Sequence, residues 1–142
     1  MSSTSRSWSG QTSIRRDPEE LSTDSTQRAL VAAAAAADKL GHDIIVLDVG
    51  DIISITDYFV IASGGNTRQV RTIVETIEEQ LREQDGARPR AEEGRQEGSW
   101  VLLDYGDIVV HVFLEETREY YGLERLWTDA PTVDWHSANA AS

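Results

Sequence analysis

The chain has 142 residues, 39% of them hydrophobic, with a formal net charge of −12 and no cysteine. That length suits one domain, and the missing cysteines exclude disulfides and cysteine-based zinc sites. The negative balance repels nucleic acid phosphate at long range, so a role on a nucleoprotein particle calls for contact with basic protein, not bare RNA.

Residues 1–22 are rich in Ser, Thr and Arg and poor in apolar side chains, so they are expected to form a disordered tail, with Trp8 as their one aromatic residue. No apolar run approaches the roughly 20 residues that span a bilayer, and no apolar stretch with a cleavage site suggests secretion; the expected compartment is the cytoplasm. A domain is expected over 23–130, followed by a flexible tail over 131–142.

A first helix is expected from Thr26 to Leu40. Ser22, Thr23 and Ser25 offer capping oxygens, the alanines favour helix, and Gly41 suits the C-terminal cap. So many alanines imply close packing on something flat. Ile44–Leu47 reads as a buried strand, Asp48–Thr56 as a loop, and Tyr58–Ala62 as a second strand. The turn Ser63-Gly64-Gly65-Asn66 leads into a helix over Thr67–Gln84, with Val70, Ile73, Val74, Ile77 and Leu81 on one stripe and Asp85-Gly86 at its end.

Arg88–Glu92 is a weak strand that Pro89 pushes to a sheet edge, and Gly94–Gly98 is a charged turn. Trp100–Asp104 and Ile108–Phe113 read as strands joined by a tight Tyr105-Gly106 turn. Both are almost wholly apolar, which predicts that each is covered on both faces. Leu114–Tyr121 reads as a short helix, interrupted by Gly122, with one more turn over Leu123–Trp127. The order predicts an α/β fold: a mixed five-stranded sheet flanked by helices. A crossover helix should set the second and third strands parallel, and the last hairpin should be antiparallel.

The strand–glycine–helix turn is a place where backbone N–H groups hold anions, but neither phosphate-loop pattern is present, and chain reversal explains the glycines. Nucleotidyl transfer needs two carboxylates one residue apart on a strand after a Gly-Ser turn; here the next carboxylate, Glu75, lies in the helix. Asp104 and Asp107 flank the hairpin, where turn backbone groups account for them. His42, His111 and His136 form no metal-binding spacing, and His111, among valines, reads as a hydrogen-bonded interior residue or a half-exposed contact. No cofactor is expected. What remains is a recognition surface for a basic protein: Tyr58, Trp100, Tyr105, Tyr120, Tyr121 and Trp127 near Asp57, Glu92, Glu93, Asp104 and Asp107. Phe59 and Trp127 are the aromatics expected in the core instead.

Several runs together resemble the Iojap/RsfS family of ribosomal silencing factors. They are Ile44–Val49, Thr56–Gly64, Gln69-Val70, Glu93-Gly94, Trp100–Phe113 and Arg118–Trp127, and the resemblance covers about Thr26 to Pro131. It implies a nucleotidyltransferase-like fold without the active site and no enzymatic activity. It also implies binding to the large ribosomal subunit through its ribosomal protein fourteen, with steric blocking of subunit joining. Large-subunit assembly and residual nucleotidyltransferase activity stand as alternatives, and homodimers as a further property of the family. The matching motif positions are Asp57, Tyr58, Glu93, Trp100, Asp104, Tyr105, Asp107 and His111. From the hairpin, Tyr105 is expected as an aromatic anchor and Asp104 and Asp107 as partners for basic side chains. Gly122 departs from the family, which usually has a polar residue there.

Overall fold

The computed structural model describes residues 25–53 and 55–135. The expected N-terminal tail, Trp8 and His136 therefore lie outside the described residues. Helix α1 spans Ser25–Asp38. Its alanines 29, 32, 33, 35 and 36 are buried, and their small side chains let the helix lie close on the sheet and on helix α2 (Thr67–Asp85). The end of α1 differs from expectation. Gly41 N donates to the Ala36 carbonyl (2.8 Å) and Leu40 N to that of Ala37 (3.0 Å), a double closure that puts Leu40, not glycine, in the left-handed position with φ +64°. Gly41 is needed for a different reason: a Cβ there would sit 2.9 Å from the Ala36 oxygen.

Helix α2 is as its pattern predicts. Val70, Ile73, Val74, Ile77 and Leu81 are fully buried. The Asn66 side chain accepts from Gln69 N at 2.8 Å, capping one end, and Gly86 closes the other at φ +77°.

The strands are β1 (His42–Asp48), β2 (Tyr58–Gly64), β3 (Ala91–Glu93), β4 (Trp100–Asp104) and β5 (Ile108–Leu114), in sheet order β1-β2-β5-β4-β3. β5 is therefore the centre. It runs parallel to β2 and antiparallel to β4. The expected parallel partner of the second strand was the third. The crossover through α2 instead carries the chain past two strand positions to the edge, and the β4–β5 hairpin fills the gap. β3 is short, and its side chains are exposed, as Pro89 foretold. Helix α3 (Glu115–Tyr121) and a 3-10 turn over Leu123–Trp127 complete the elements.

The register sorts side chains onto two faces. Val46, Val60, Val110 and Leu103 pair across one face, which α1 and α2 cover. Leu47, Phe59 and Val109, with Ile61, His111 and Leu102, line the other, which α3, the 3-10 turn and the 49–53 loop cover in part. In β4 burial alternates, so Trp100, Leu102 and Asp104 are only half-buried. The expectation that this strand is sealed on both faces is corrected: among the described residues, no long helix crosses its second face.

The expected flexible tail also begins too early. Asp48 N donates to the Pro131 carbonyl and Val133 N to that of Val46, both at 2.8 Å. The Trp135 indole is buried and donates to the Ile44 carbonyl at 3.2 Å. Residues 131–135 thus cover the open edge of β1. An edge strand needs a partner for its free backbone groups, and Val133 and Trp135 bring enough apolar surface to stay there.

Candidate interaction face

The structure divides the seven expected contact residues. Glu93, Trp100, Asp104 and His111 belong to the partly covered face, because Glu93 pairs with Leu102, Leu102 with His111, and Asp104 with Val109. Tyr58 and Tyr105 point into the helix-covered core. Asp107 sits at the hairpin tip.

Trp100 is the centre of an aromatic ladder. Its ring stacks on Phe113 with centroids 4.8 Å apart and meets Tyr121 at 5.0 Å, and Tyr121 in turn meets Tyr120 edge-on at 5.0 Å. Its indole N–H donates to His111 Nδ1 at 3.2 Å. That bond makes Nδ1 an acceptor, so the neutral ring carries its proton on Nε2. Burial pushes the His111 pKa down to about 4, and Nε2 finds no protein acceptor among the described residues. His111 is 5% exposed, so it fixes Trp100 from below and offers no surface of its own. The interior alternative is the one the structure places.

Tyr58 and Tyr105 are corrected in the same way. Tyr58 is buried and its hydroxyl shares a 2.7 Å hydrogen bond with Thr26 Oγ1, tying β2 to α1. Tyr105 is 8% exposed, and burial pushes its pKa up to about 12. An aromatic already sunk in its own core cannot anchor in a partner without leaving it.

The two hairpin aspartates do different work. Gly106 takes φ +92° and Asp107 does not turn positive, while Tyr105 N donates to the Ile108 carbonyl at 2.9 Å. That is a two-residue turn with glycine first, so Gly106-Asp107 form its centre, one residue later than expected. Asp104 Oδ1 accepts from Gly106 N at 2.8 Å and faces Arg90 Nε at 3.3 Å. Asp107 receives Arg28 Nη1 on both oxygens, at 3.0 and 3.1 Å, and Arg28 Nε reaches Asp85 at 2.9 Å. Asp107 therefore pins the hairpin to α1, and Asp104 stays on the open face. Phe59 and Trp127 meet edge-on at 5.3 Å in the second core cluster, as expected.

Sequence reasoning missed Leu102 and Val109, both half-buried on this face. The signal was available: Leu102 lies two residues from both Trp100 and Asp104, on the same side of a strand. It also missed Arg28, whose partners lie 57 and 79 residues away and leave no local trace. The resulting patch holds Trp100, Leu102, Val109, Tyr121 and the 81% exposed Tyr120, with the carboxylates of Glu93 and Asp104 beside it. Aromatics next to acids bind basic protein well. Among the described residues, no group of three or more potential ligands could hold a metal, and no helix is long and apolar enough to cross a membrane.

Comparison with known proteins agrees on one family. The profile described as "Ribosomal silencing factor during starvation" matches residues 22–142. The ribosomal silencing factor RsfS of Bacillus subtilis is 45% identical over 104 residues, 73% of this chain and 87% of the relative. A mouse protein, "Mitochondrial assembly of ribosomal large subunit protein 1", is 39% identical over 61% of this chain and 39% of its own length. A crystal structure of a Chromobacterium violaceum protein superposes with a TM-score of 0.71 at 36% identity, covering 74% of this chain and 87% of that one.

Proposed function

Because the chain belongs to the ribosomal silencing factor family, we propose that it binds the large ribosomal subunit and represses translation without catalysing a reaction. Its partner in this reading is ribosomal protein fourteen of the large subunit, and its effect is steric: the bound domain fills space the small subunit must enter. The observation that carries the reading is the half-covered sheet face. A patch of Trp100, Leu102, Val109 and Tyr121 beside Glu93 and Asp104 suits a basic protein surface, and a net charge of −12 favours such a partner over exposed RNA. The buried trio Tyr58, Tyr105 and His111 then acts indirectly, by holding β4 and the hairpin in place.

The lack of catalysis has support in the Gly-Ser turn: the Ser63 hydroxyl accepts from Arg118 Nη1 at 2.7 Å and is buried. The mouse relative's name keeps large-subunit assembly as a second reading, which uses the same partner. The test is sedimentation of the purified protein with separated subunits. Co-migration with the large subunit alone, and loss of joined particles when the protein is added first, is the expected result. Migration with the small subunit would contradict it; normal joining despite large-subunit binding would favour the assembly reading.

A further inference from the structure

β2 and β5 lie side by side and parallel, yet the chain leaves their carboxyl ends in opposite directions. After β2 it enters α2 on the covered face; after β5 it enters α3 on the other. In open α/β sheets such a divergence leaves a crevice that serves as the usual ligand site. On the α3 side of that divergence, against β1 and the carboxyl end of β2, lies a cavity of about 610 Å³, within the ~300–1,000 Å³ range of small-molecule sites.

Its floor is Arg118, a buried arginine on α3. Nη1 donates to the Asp43 carbonyl at 2.5 Å and to Ser63 Oγ at 2.7 Å, and Nε donates to Glu124 at 3.2 Å. Nη2 has no acceptor among the described residues. Glu124 has the opposite deficit: its Oε1 is an acceptor without a donor. Arg125 supplies a second cation. A Cβ on Gly122 would lie 2.9 Å from Arg125 Nη1, so glycine at this position lets the guanidinium fold over the turn and line the crevice. Asp43, Glu115 and Glu119 line the rest.

Four carboxylates against two guanidiniums disfavour a simple anion. A simple cation leaves Arg118 Nη2 and Arg125 unused. We propose that this crevice binds a small zwitterion of the α-amino-acid class. Its carboxylate lies between Arg118 and Arg125, and its ammonium group faces the exposed Glu119 carboxylate. The site adjoins the ribosome-facing patch, since Glu119 and Gly122 flank Tyr120 and Tyr121, but its existence does not rest on that reading.

The test is a ¹⁵N–¹H NMR titration of the full chain with each common L-amino acid in turn, with acetate and putrescine run separately. At least one amino acid should give saturable shifts clustered at Ser63, Arg118, Glu119 and Gly122, and neither acetate nor putrescine should saturate. Glu119→Gln and Arg125→Ala alter exposed side chains, so the rest of the spectrum should not change, while each weakens binding about tenfold. No saturable shift with any amino acid would overturn the proposal. So would equal saturation by putrescine or acetate, or binding that both variants leave unaltered.

Discussion

The two faces of the sheet are built from the same five strands and have opposite fates. One meets two long helices whose alanines and β-branched stripe leave its central residues fully buried. The other meets a seven-residue helix, a 3-10 turn and a loop, which cover Phe59, Ile61 and Phe113 but leave Trp100, Leu102 and Val109 half-exposed. Burial stabilises the domain on the first face; incomplete burial on the second leaves apolar surface for another protein. A single strand, β4, shows both: Val101 and Leu103 are fully buried, and their neighbours are not.

That contrast is easiest to break within β4. Leu103→Ala removes a fully buried side chain beneath the helices and should cost about 4 kcal/mol of stability. Leu102→Ala, one residue away on the other face, should cost under about 1 kcal/mol and weaken large-subunit binding instead. Urea denaturation of the two variants measures the difference. Equal costs would mean that the open face is sealed in solution.

Acid sharpens the comparison at the one titrating group beneath the ladder. His111 has an ordinary pKa near 6.5 unfolded and about 4 folded, so the unfolded chain binds the extra proton first as pH falls. Its neutral ring contributes fully above about pH 6.5, and that contribution is lost from there down to about 4. The loss is about 1.4 kcal/mol per unit and about 3 kcal/mol in total. Denaturation of the parent and of His111→Gln at several pH values should show the two stability curves converge or cross over that window. Parallel curves would place the histidine in water.

Charge tests the open face more gently. Asp104→Lys reverses a half-exposed carboxylate on the same face as Trp100, across from Val109, and should weaken large-subunit binding by about tenfold, mostly through slower association and less at high salt. Asp107→Asn should have a smaller effect on binding, because that carboxylate is already held by Arg28. The smallest effect lies outside both faces. Leu40 is 78% exposed in a left-handed conformation, so Leu40→Gly should stabilise the protein by about 1 kcal/mol, read as a raised Tm.

Local patterns made much of this legible in the sequence. The α2 stripe, its glycine stop, the hairpin strands and the edge position of β3 all follow from periodicity and turn chemistry within a few residues. Pairing across the chain was less accessible. Nothing near β2 says that its parallel partner is β5, since that choice depends on where the later hairpin inserts. The 131–135 strap looked like a tail because its need for β1 arises only once the sheet has an edge. For the site, residue types were readable and directions were not. Tyr58, Tyr105 and His111 have the chemistry of contact residues, but strand parity and the two long helices turn the tyrosines inward, and the aromatic ladder closes over the histidine.

The most direct test of which face meets the ribosome is hydrogen exchange of the protein free and bound to purified ribosomal protein fourteen. Slowed exchange across β4 and α3 around Tyr120 and Tyr121, with α1 and α2 unchanged, is the predicted outcome. Protection confined to α1 and α2 would contradict the assignment of the open face as the docking surface.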